Sequence, residues 1–137
     1  MHNYYLYKMS SGNFINPTID ELKNDIKRHN LSLERYSDDH QRYSLKADSL
    51  MKLAKISDKK YYNNALDAIN KAITLFPKYS YYLIQRCKCY IAMKPTNWNL
   101  VSAELALIKD FSKTGDLLYD TYIANKIKEI EELKLKN

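Results

Sequence analysis

Glycine and proline are scarce: the 137-residue chain holds two of the first and three of the second. Sandwiches and barrels need many tight turns, which draw on those residues, so the shortage disfavours β architectures and points to helices. With glycines only at Gly12 and Gly115, no glycine-rich phosphate loop can be built. There are two cysteines, Cys87 and Cys89, and hence no disulfide framework. Two positions apart on one predicted helix they face different ways, so they are poorly placed to pair. Such usage fits a reducing compartment, and an intracellular, cytoplasmic setting is expected. His2, His29 and His40 are too scattered to define a metal site, and the cysteines lack further ligands at zinc spacing, so no metal or other cofactor is expected. No apolar run approaches the roughly 18 residues of a membrane span. The N-terminus shows no basic stretch followed by an apolar core, so no secretory signal is expected. No nucleophile elbow is present. No catalytic residue is assigned, and the chain is expected not to be an enzyme.

What is present is ordinary for a folded domain: 45% apolar and 28% charged residues. The length fits one domain able to bury roughly 68–70% of its unfolded surface. Twenty-two basic side chains against sixteen acidic ones give a net charge of +6, a bias toward acidic partners. The organisation reads as an irregular arm over residues 1–16 and a single helical domain over 17–134. Tyr4, Tyr5, Leu6 and Tyr7 make the arm sticky, and it suits a short strand, a tail or a latch.

Thr18 and Glu21 form a capping box ahead of Ile19, Leu22 and Ile26, a helix expected to end at His29-Asn30. A second helix is expected over Leu33 to Ile56, with Leu33, Tyr36, Tyr43, Ala47, Leu50 and Ala54 on one side. Asp38-Asp39-His40 reads as a polar turn within it. Ser57-Asp58 ends that helix and caps a third over Lys59 to Phe76. Pro77 stops the third. A fourth spans Ser80 to Met93. A fifth spans Asn97 to Ser112, with Leu100, Ala103, Leu107, Ile108 and Phe111 as its stripe. The last runs from Leu117 to Leu133 with Tyr119, Ile123, Ile127 and Ile130 inward and a charged outer face.

Ala65 and Ala72 recur seven apart with Ile69 between them, Pro77 follows five later, and a new apolar-aromatic pattern begins beyond it. This resembles the second helix of a tetratricopeptide repeat running into the first helix of the next. Tyr43 with Ala47, and Leu83 with Cys87, fit the large-small pair of the family's first helix. The resemblance covers residues 41–134, with Ala103 and Leu107 as counterparts of Ala65 and Ile69. It departs from the family in its longer loops, in Asp110 at a small-residue position, and in Ala47 or Cys87 replacing the usual glycine. The resemblance implies an all-α fold: antiparallel helical hairpins stacked as a short array with a C-terminal capping helix. Small side chains let paired helices approach toward the lower end of the usual 8–10 Å. A hairpin array outside the family, or an irregular bundle, gives the same stripes. About three units are normally needed for stability, so the helix over 18–29, or a second chain, must cover the two hairpins. Self-association is therefore a further expectation.

The resemblance also implies binding on the concave face lined by first helices. Carried over, it gives Gln41, Ser44, Asp48 and Lys52 from the second helix, and Tyr81, Ile84, Lys88 and Ile91 from the fourth. Lys52 and Lys88 would clamp a carboxylate of a peptide or protein partner, and Tyr81 would supply a rigid contact. Two rival roles stay open. Lys59-Lys60-Tyr61-Tyr62 and Lys78-Tyr79-Ser80-Tyr81-Tyr82 mix cations with rings as single-stranded nucleic-acid binders do. A small subunit of a larger assembly, docked through the Tyr4–Tyr7 arm, is the other.

Overall fold

The computed structural model describes residues 16–137, so all but the last residue of the expected N-terminal arm lies outside the described part. It contains six α-helices: α1 Ile19–Arg35, α2 His40–Ile56, α3 Tyr61–Leu75, α4 Ser80–Ala92, α5 Trp98–Asp110 and α6 Leu117–Leu135. No strand occurs among the described residues. Each helix packs on the next. Short connections fold neighbours back on each other, giving an all-α stacked array of hairpins.

The start of α1 is as expected. The Glu21 amide donates to Thr18 Oγ1 at 3.1 Å, and the Thr18 amide donates to Glu21 Oε1 at 3.4 Å. Its end is not. The helix continues through His29-Asn30 to Arg35, because Asn30 is a weak helix former but not a breaker. Leu22, His29 and Leu33 share its buried face. His29 interrupts the hydrophobic signal without interrupting the helix. Leu33 therefore belongs to α1, and Tyr36, expected in the core, is 58% exposed at the C-cap. Asp38-Asp39-His40 is the break itself: Asp39 Oδ1 accepts the Arg42 amide at 3.0 Å and caps α2.

Ala65 and Ala72 are fully buried, as is Ile69 between them. Together with Ala47 and Ala68 they let α2 and α3 approach closely, and this pair packs more tightly than any other. One core cluster joins these helices with Cys89. A second joins α4, α5 and α6 around Cys87, Val101, Ile108 and Ile123. Ile73 packs against both.

The stripe of α5 differs from expectation. Val101, Glu104, Leu105 and Ile108 are buried, whereas Leu107 is 40% exposed and Leu100 and Ala103 also face outward. The counterparts of Ala65 and Ile69 are thus Val101 and Leu105, and Asp110 holds no core position. The reason is Glu104, a carboxylate on the apolar face, which hides the true period. Arg86 holds it in place, Nε to Oε2 at 2.6 Å and Nη2 to Oε1 at 2.8 Å.

Ile123, Ile127 and Ile130 dock α6, but their bulk keeps the helix farther from α4 and α5 than the alanines keep α2 from α3. Sparse packing lowers the free energy of local opening. Amide exchange is therefore expected to be fastest in α6 and slowest in α2 and α3. Equal protection throughout would count against this ordering.

Candidate partner-binding site

The three even-numbered helices, α2, α4 and α6, share one side of the array, and polar contacts tie them together. Gln85 of α4 is buried. Its Nε2 donates to the Ser44 carbonyl and to Asp48 Oδ1, each at 2.8 Å, and Ser44 Oγ donates to Gln85 Oε1 at 2.8 Å. The amide thus uses both donors and its acceptor across the α2–α4 junction. Between α4 and α6, the Tyr81 amide donates to Tyr119 Oη at 3.2 Å.

Aromatic rings line the end of this face where α2, α4 and α6 begin. His40 stacks on Phe76 with centroids 4.5 Å apart, and its Nδ1 lies 2.6 Å from Tyr82 Oη. Tyr79 meets Tyr82 edge-on at 4.7 Å and stacks on Tyr119 at 6.0 Å. Burial pushes the Tyr82 phenol well above its ordinary range. The Tyr81 phenol is pushed up to about 12 by burial, with smaller contributions from Asp48, Tyr122 and Tyr79.

Charge enters farther along. Burial raises the Asp48 carboxyl, while the Gln85 hydrogen bond and the nearby Lys52 and Lys88 pull it back. Lys126 of α6 lies 5.5 Å from the Tyr122 ring centroid.

The eight residues expected here divide. Gln41, Lys52 and Lys88 are exposed, and Asp48, Tyr81 and Ile91 are half-buried. Ser44 and Ile84 are buried: Ser44 is turned to Gln85, and Ile84 sits in the core of α4, α5 and α6. Neither has surface to give a partner. Ile91 packs against that same core. Reading the sequence missed Gln85, Tyr119, Tyr122 and Leu118. Gln85 lies four residues after Tyr81, on the same helical stripe, which was a usable signal. The α6 residues were hidden by treating that helix only as a cap. Leu118 is 84% exposed, one turn before Tyr122 on the same side of α6.

The tyrosines of the two Lys-Tyr runs are largely committed internally. Tyr82 is buried, Tyr79 is enclosed by rings, and Tyr61 and Tyr62 pack on the α2–α3 core. Cys87 and Cys89 are free thiols in separate core clusters. Burial pushes them up to about 12 and about 11, far from the thiolate form a nucleophile needs. Among the described residues, no group of three His, Cys, Asp or Glu side chains converges as metal ligands would. Comparison of the chain with protein-family models, curated proteins and solved structures yields no match.

Proposed function

We propose that this chain is a non-enzymatic protein-interaction module of the tetratricopeptide type, taking a peptide segment of a partner on the face of α2, α4 and α6. The observation that carries the reading is the juxtaposition on that face of part-exposed Tyr81 with Lys52 and Lys88 around the Asp48 carboxylate, flanked on α6 by Tyr122 and by Lys126, which pairs with Glu129. Rings supply rigid contact area at low entropic cost, and the surplus cations favour a carboxylate on the ligand. Helices α2 and α4 beneath it are tied together by the Gln85 bonds, so that part of the face is preorganised and needs little ordering on binding.

Peptide-display selection against the full chain tests this reading. Selected peptides are expected to lose at least about tenfold in affinity for Lys88→Glu, about 1.4 kcal/mol. Lys88 is exposed, so the fold is expected to survive the change. Failure to enrich any peptide, or equal binding to wild type and Lys88→Glu, would overturn it. The nucleic-acid alternative would instead show single-strand affinity that falls steeply with salt.

A further inference from the structure

The opposite side of α2 lines a second concavity. Lys46 and Asp48 are two residues apart, so about 200° of helical rotation separates them. Both α1 and α3 pack on α2, with no comparable packing on each other. Helix α2 is thus the floor of a trough, and α1 and α3 are its walls. The trough has a volume of about 460 Å³. Its lining on α2 and α3 extends from Tyr43 to Leu53 and from Tyr61 to Lys71, about 15 Å along each helix.

The chemistry of the trough is two-layered. Leu50, Leu53, Ile26 and Ala68 give it an apolar base. Each helix then contributes one lysine: Lys23 from α1, Lys46 from α2 and Lys71 from α3. Asp67 is the one carboxylate in the lining. None of the three lysines makes an ion pair among the described residues. Partial burial lowers the Lys46 ammonium pKa, and Asp67 offsets this only in part. An added anion would therefore relieve a standing charge excess.

We propose that this trough docks an acidic peptide segment of a partner protein, with its carboxylates on Lys23, Lys46 and Lys71 and its apolar side chains on Leu50 and Leu53. The length suits two to three turns of helix or four to five extended residues, roughly 15 Å in either form. The chain's own arm is a poor occupant, because residues 1–15 carry Lys8 and no Asp or Glu. The site is separate from the face of α2, α4 and α6. A chain using both would join two partners back to back across α2.

The test is fluorescence anisotropy on the full chain with a labelled peptide of Glu, Asp, Leu and Phe. Two controls accompany it, one with Lys replacing the acids and one with Ser replacing Leu and Phe. The acidic apolar peptide is expected to bind, more weakly at high salt. It should lose at least about tenfold for Lys23→Glu/Lys71→Glu and nothing for Lys88→Glu. Lys23 and Lys71 are exposed, so circular dichroism should be unchanged, and Lys23→Gln/Lys71→Gln should fall between. Absence of binding, or equal binding by the double variant, would overturn the proposal. So would equal binding of the Ser peptide, which would mean diffuse charge rather than a trough. Loss confined to Lys88→Glu would place the peptide on the other face, overturning this site while leaving the first reading intact.

Discussion

Arg86→Met is expected to destabilise the fold by about 3–5 kcal/mol, because it strands a buried charge. Glu104 is only 4% exposed, and both its oxygens are held by the Arg86 guanidinium. The same guanidinium donates from Nη1 to Asn70 Oδ1 of α3 at 3.1 Å, so one side chain ties α3, α4 and α5 together. Removing both charges is a different matter. An apolar pair of similar volume is often neutral or better than a buried ion pair, since the desolvation of both ions is recovered. Arg86→Met/Glu104→Leu is therefore expected to regain most of the loss. Urea denaturation of the single and double variants measures the coupling. If Arg86→Met costs under about 1 kcal/mol, the pair behaves like an exposed one and the buried clamp is refuted.

The second large effect concerns pH. His29 is buried on α1, and Arg42 Nη1 lies 3.3 Å from its Nδ1. Guanidinium can only donate, so Nδ1 must be the lone-pair nitrogen and the ring is neutral. Burial first, then the charge of Arg42, lower its pKa from 6.5 to about 4; Asp25 opposes them, and Arg28 and Lys46 add smaller decreases. Well above pH 6.5 the ring is neutral in both folded and unfolded chains and contributes no pH dependence. As pH falls from 6.5 toward about 4, only the unfolded chain takes up the proton, so stability declines across that window. The full loss is about 3 kcal/mol. Asp48 works the other way: its raised carboxyl takes up a proton earlier in the folded chain, softening the decline at the acid end. His29→Gln can still accept from Arg42 through its amide oxygen and cannot titrate. Its stability is expected to be nearly flat over the same window. A variant as pH-sensitive as the parent would assign the effect to other groups.

The helical class was legible because periodicity and caps act locally. Thr18 with Glu21, the alanines at 65 and 72, and the isoleucines of α6 all hold the places their spacing implies. The misreadings share a cause. His29 on α1 and Glu104 on α5 are polar residues on buried faces, made tolerable by Arg42 and Arg86 from other helices. A pattern search sees such residues as breaks or as surface, because their partners lie far away in the chain. Of the residues carried over to the candidate site, Gln41, Lys52 and Lys88 are exposed and Asp48 and Tyr81 half-buried, so these have surface to offer a partner. Ser44 and Ile84 failed because a helix stripe specifies direction but not what lies opposite. For Ser44 that is Gln85, and for Ile84 the core shared with α5 and α6. The contribution of Tyr119 and Tyr122 depends on where α6 docks, which only tertiary packing decides.

Hydrogen-exchange footprinting of the full chain with a display-selected peptide tests the binding face most directly. Slowed exchange is expected in α2, α4 and α6 around Asp48, Tyr81, Lys88 and Tyr122, with α5 unchanged. Protection on α5 instead, or none on any of those three helices at saturating peptide, would contradict the assignment.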